Sequence, residues 1–224
     1  MIEKVKMFIN FLLLIMAVPV LSLNILSSII GAIWLMIIGE WRLVIIGFLY
    51  FFIIKWILIF LILPSGLIMF VAIYFYKKGK NIFGNVFSFI SHLYINILPI
   101  ATCFLAFIIC SFFYANRVGI EYLSYYDLIT QLLSSAKADY IPYLLWSWGM
   151  ALAEWQYWSS KEPNNYLSQI TTINITFFYL LFIIGIFIGP TFLLAIIVLL
   201  GITHLILLPF IGVVHNNYVY SNFK

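Results

Sequence analysis

The sequence predicts an all-α fold: a polytopic α-helical membrane bundle of about six transmembrane helices, or five, with one short amphipathic surface helix. Three observations carry this. Of 224 residues, 66% are hydrophobic and 8% are charged. A soluble domain averages roughly 25% charged residues, so this chain cannot cover a globular surface. The apolar residues also fall into runs long enough to cross a bilayer, and basic residues and tryptophans sit where those runs end. The whole of residues 1–224 reads as a single transmembrane helical domain, with 115–139 as its extramembrane segment.

The first run, Met7 to Ile38, follows Lys4 and Lys6. It lacks a small-residue cleavage site and predicts an uncleaved signal anchor, kinked near Pro19, with a cytoplasmic N-terminus. Gly39-Glu40-Trp41-Arg42 predicts a tight turn on the opposite side. The second run, Leu43 to Phe75, contains Pro64-Ser65-Gly66. It predicts a span over Leu43–Leu63, a break, and a half-length helix over Leu67–Phe75. Lys77-Lys78-Gly79-Lys80, the densest basic cluster, is expected in the cytoplasm.

The third run, Ile82 to Tyr114, carries polar residues at helical spacing. Asn81, Asn85, Ser88, His92, Asn96, Pro99 and Cys103 advance by three or four and share one face. Thr102, Ala106 and Cys110 form a second stripe of small residues, suited to close helix approach in lipid. Cys103 and Cys110 lie about 10 Å apart along a helix, too far for a disulfide.

Residues 115–139 hold Arg117, Glu121, Asp127, Lys137 and Asp139, and their apolar residues recur at helical spacing. They predict the amphipathic surface helix. Ile141–Trp158 is aromatic-rich and contains Glu154; it reads as either a short span or an interfacial helix. Ile170–Ile188 and Thr191–Phe210 are expected as a helical hairpin about Gly189-Pro190. If 141–158 crosses, Lys4, Lys6, Lys77, Lys78, Lys80, Lys161 and Lys224 are cytoplasmic, against Arg42, Arg117 and Lys137 outside. That split favours six crossings with both termini inside, in a bacterial cytoplasmic (inner) membrane.

Three sets of residues are candidates for function, because polar groups in lipid are costly. Asn85, Ser88, His92 and Asn96 form either a polar path or an interhelical packing network. Lys55 lies deep in the second run; it snorkels or marks a shifted helix boundary beside Trp56, pairs with Glu40 or Glu154, or serves transport. Glu154, among aromatics, either carries protons or caps a span. No nucleophile elbow, zinc-binding HExxH, phosphate loop or dinucleotide fingerprint is present in the sequence. The net charge of +4 belongs to membrane orientation rather than nucleic acid. No cofactor and no metal site is expected.

The expectation is therefore a non-enzymatic component of the lipid bilayer that works by self-association or by joining other membrane subunits. The alternative is a small ion or proton channel, or a transporter, that uses the polar stripe of the third helix.

Overall fold

A computed structural model describes residues 20, 22–121, 124, 127–128, 131, 138–161, 166–188 and 201–221. Every regular element among them is helical. We number the helices α1 (Ser22–Ile37), α2 (Trp41–Lys77), α3 (Asn81–Val118), α4 (Ile141–Lys161), α5 (Tyr166–Ile188) and α6 (Leu208–Ser221). A short 3₁₀ turn, Ala138–Tyr140, leads into α4, and a π-turn, Thr203–Leu207, precedes α6. Among the described residues, three helices are long and apolar enough to cross a membrane: α2, α3 and the Ile170–Phe187 part of α5.

Local chemistry sets the helix ends. At the end of α1, Glu40 N–H donates to the Leu35 carbonyl at 2.7 Å and Gly39 N–H to the Met36 carbonyl at 3.1 Å. After α2, Lys80 N–H reaches the Phe75 carbonyl and Gly79 N–H the Tyr76 carbonyl, both at 3.0 Å. Each is a Schellman closure, which needs a left-handed residue, and Gly39 and Gly79 have φ of 87° and 71°.

The second run departs from its expected break. α2 continues through Pro64-Ser65-Gly66 as one helix of 37 residues. Proline removes one backbone donor, and glycine gives up some helix propensity. In apolar surroundings, however, unwinding would orphan many more backbone groups. Ser65 also anchors the weak point: its hydroxyl pairs with Ser91 Oγ at 2.9 Å, and Ser91 Oγ donates back to the Ser65 carbonyl at 3.0 Å. Pro99 is likewise accommodated inside α3, a helix of 38 residues.

The chain divides into two compact units. The first takes in α1, α2 to Phe52, α3 from Thr102, and α4 and α5. Its centre is α4, whose first half is almost wholly buried within the unit. Residues 142–144 and 146–152 are all buried. The Trp146 indole N–H donates to the Leu43 carbonyl at 3.1 Å, and Phe48 meets the indole edge-on at 5.7 Å. Gly47 faces the same indole so closely that a Cβ there would stand 2.5 Å from it. Phe107 and Phe182 meet at 5.1 Å. Cys103, Ala106 and Cys110 are buried, and both thiols are free.

The second unit takes in α2 from Ile53, α3 to Ala101, and the π-turn with α6. Its aromatic contacts include Phe75 stacked on Phe87 at 5.5 Å and Tyr76 on Tyr220 at 6.2 Å. Pro209 has no N–H for the carbonyl of Leu205, and the backbone widens into the π-turn just before it.

About half of the expected amphipathic helix at 115–139 lies outside the described residues. Its first residues belong to α3, which ends at Val118. Ser124 Oγ accepts from Asp127 N–H at 3.2 Å, a helix-start geometry. The first run up to Pro19 and the Gly189-Pro190 turn also lie outside the described residues.

Candidate functional site

The polar stripe of α3 lies at the centre of the second unit. Spacing by three or four puts Asn85, Ser88, His92 and Asn96 on one face, and tertiary partners meet most of that face. Tyr76 OH donates to Asn85 Oδ1 at 2.8 Å. Asn216 Nδ2 on α6 donates to Ser88 Oγ at 3.0 Å, pairs with His92 Nε2 at 2.9 Å, and stands 3.4 Å from Met69 Sδ. An amide nitrogen only donates, so His92 Nε2 accepts, and the neutral ring carries its proton on Nδ1. Gly212 packs flat against this imidazole, where a Cβ would meet Cδ2 at 2.5 Å.

Ser88 and Asn96 are wholly buried. Asn96 differs from its neighbours: among the described residues, neither carboxamide atom has a hydrogen-bond partner, and nor does His92 Nδ1. Asn81 is exposed at the helix start.

The other candidates stand apart from this stripe. Lys55 is half-buried in the middle of α2. Glu40 faces Arg117 Nη1 at 3.6 Å, and Arg117 donates to the Ile38 carbonyl at 2.6 Å. Arg117 thereby ties the end of α3 to the α1–α2 turn. Glu154 lies on α4, and its side chain is outside the described residues.

The first unit holds a second set of polar pairs that spacing did not single out. Ser147 Oγ and Tyr179 OH are 2.6 Å apart, as are Ser111 Oγ and Tyr140 OH. Tyr50 OH donates to the Thr102 carbonyl at 2.8 Å. Trp148 stacks on Tyr179 at 6.1 Å with nearly parallel rings. Reading the sequence also missed Asn216, Ser65, Ser91 and Tyr76. The nearest available signal for Asn216 was its place in a polar stretch, His215-Asn216-Asn217, directly after an apolar run.

These arrangements suit interhelical locking more readily than covalent chemistry. Ser91 beside His92 pairs with Ser65 rather than with the imidazole. No cluster of three or more His, Cys, Asp or Glu residues suited to a metal ion occurs among the described residues. No known protein family, curated protein or solved structure matches the chain.

Proposed function

We propose that this protein is a non-enzymatic, multi-pass component of a membrane, a bacterial cytoplasmic membrane with the N-terminus inside, and that it works as a subunit of a homo- or hetero-oligomeric assembly. The observation that carries this reading is the length of α2. Its 37 residues rise about 56 Å. A bilayer core is about 30 Å thick, and even a 40° tilt, near the upper limit, houses about 39 Å of helix. Roughly 17 Å of helix is left over.

That excess is apolar and uncovered. Trp41, Ile45 and Phe48 are exposed near one end, and Leu67, Phe70 and Tyr74 near the other. Lipid chains cannot cover both ends at once, whereas a packed partner can. Apolar surface of this extent outside a bilayer marks an interaction site.

The polar stripe supports the same reading. Its direct bonds from Asn216 to Ser88 and His92 hold α6 on α3 without an intervening gap. The alternative, an ion or proton path along that face, requires these contacts to open.

The experiment is purification in mild detergent, with mass measured by light scattering, followed by reconstitution into vesicles. A discrete oligomer, or a fixed-stoichiometry complex rebuilt from purified parts, is the expected result. A monomer that carries ions or protons across vesicles would overturn the assembly reading and support the channel.

A further inference from the structure

We infer that His92 Nδ1 and Asn96 form a binding site for one ordered water molecule in the seam between α3 and α6, independent of how the protein assembles. Asn96 is wholly buried, and both its amide nitrogen and its carbonyl oxygen are without partners among the described residues. A buried amide left in that condition loses several hydrogen bonds at once, which native structures avoid. His92 Nδ1 is the third unpartnered atom.

The three atoms belong together. His92 and Asn96 are one helical turn apart on the same face, about 6 Å along the axis. Polar side chains one turn apart on a buried face can share a single bridging water.

The neighbouring contacts set the chemistry of the guest. Ser88 and His92 meet Asn216, while His92 also meets Gly212, so α3 and α6 run antiparallel here. By that register Asn96 lies one turn further on, at the level of Leu208, a buried apolar side chain that offers no hydrogen bond. With Nε2 occupied by Asn216, Nδ1 presents an N–H. Asn96 adds an NH₂ and a carbonyl. The guest must therefore accept from a ring N–H and also donate to, or accept from, a carboxamide. A cation would meet N–H hydrogens. An anion would find no formal positive charge on Ser88, Asn96, Asn216 or the neutral ring. Water satisfies both sides.

Consequently, the polar stripe has two regimes. Around Asn85, Ser88 and Asn216 it is a lock of direct bonds. Around His92 Nδ1 and Asn96 it is hydrated, next to the π-turn where the backbone leading into α6 already departs from regular helix.

The test uses full-length protein with ¹⁵N-labelled histidine in phosphatidylcholine vesicles, studied by water-edited solid-state NMR. His204→Gln and His215→Gln variants assign the His92 signals. The expected result is a protonated Nδ1 that takes up magnetisation from water at short transfer times. In Asn96→Leu that transfer to Nδ1 is lost, while Nε2 keeps its shift. A dry Nδ1 in the unmodified protein overturns the site, as does a ring protonated on Nε2. Transfer that persists undiminished in Asn96→Leu also overturns it. If Asn96→Leu fails to fold, the measurement on the unmodified protein alone decides.

Discussion

Tyr179→Phe removes one oxygen from the hydroxyl pair that joins α4 to α5. Ser147 and Tyr179 are both fully buried, and their oxygens are 2.6 Å apart. The ring of Tyr179 stays in place on Trp148, so packing is nearly conserved. The change has two parts. The bond itself contributes about 1 kcal/mol net in water, and about 0.6 kcal/mol on average between helices in membranes. The Ser147 hydroxyl, left with only the weakly bonding Cys110 thiol, adds a desolvation cost of about 1–3 kcal/mol. Tyr179→Phe should therefore destabilise by roughly 2 kcal/mol, and Ser147→Ala by a similar amount, since it leaves the phenol only the weakly bonding Cys103 thiol. The double variant leaves neither group unpaired and should cost about 1 kcal/mol, well below the sum of the two single changes. The assay is reversible unfolding in mixed micelles as the denaturing detergent fraction rises, followed by tryptophan fluorescence. The four proteins form a double-mutant cycle. Additive losses, with no coupling between the sites, would refute the claim that these hydroxyls depend on each other.

Three further outcomes follow from the same structure. Gly47→Ala places a Cβ 2.5 Å from the Trp146 indole, so the ring must move and its bond to the Leu43 carbonyl weakens. A loss of about 2 kcal/mol is expected in the same unfolding assay, with a shift in tryptophan emission, and an unchanged spectrum would contradict it. Asn216→Leu removes the donor to Ser88, which keeps its bond to Tyr76, and strands the His92 Nε2 acceptor; it should cost about 2 kcal/mol, whereas the neighbouring exposed residue in His215→Gln should change stability by less than about 0.5 kcal/mol. Cys103 and Cys110 are buried and free, so maleimide should label neither in the folded protein and both after denaturation; rapid labelling of the folded form would refute the burial of the small-residue stripe.

Several features of this fold are legible residue by residue. Gly39 and Gly79 end helices because the Schellman closure acts within six residues, and the need for a left-handed backbone is visible in the sequence itself. The Thr102, Ala106 and Cys110 stripe is legible for a similar reason: helical periodicity alone puts small residues on one face, and that face is buried. The same periodicity gathers Asn85, Ser88, His92 and Asn96 before any partner is known.

Other features depend on residues far away in the chain. The Pro64-Ser65-Gly66 stretch carries every local mark of a helix break, yet α2 runs on, because the Ser91 hydroxyl and carbonyl, supplied by α3, hold Ser65 from outside. The nature of α4 is equally non-local. Its tryptophans resemble interfacial anchors by composition, but Trp146 finds the Leu43 carbonyl and Trp148 finds Tyr179, so both turn inward. Asn216 has no local feature that distinguishes it from Asn217. Its role comes from standing opposite Ser88 and His92. Periodicity fixes which residues share a face, because that follows from backbone geometry within a single helix. Which face meets which, and which polar atoms find partners, depends on helices packing from distant parts of the chain, and for α4, Ser65 and Asn216 the tertiary structure alone decided it.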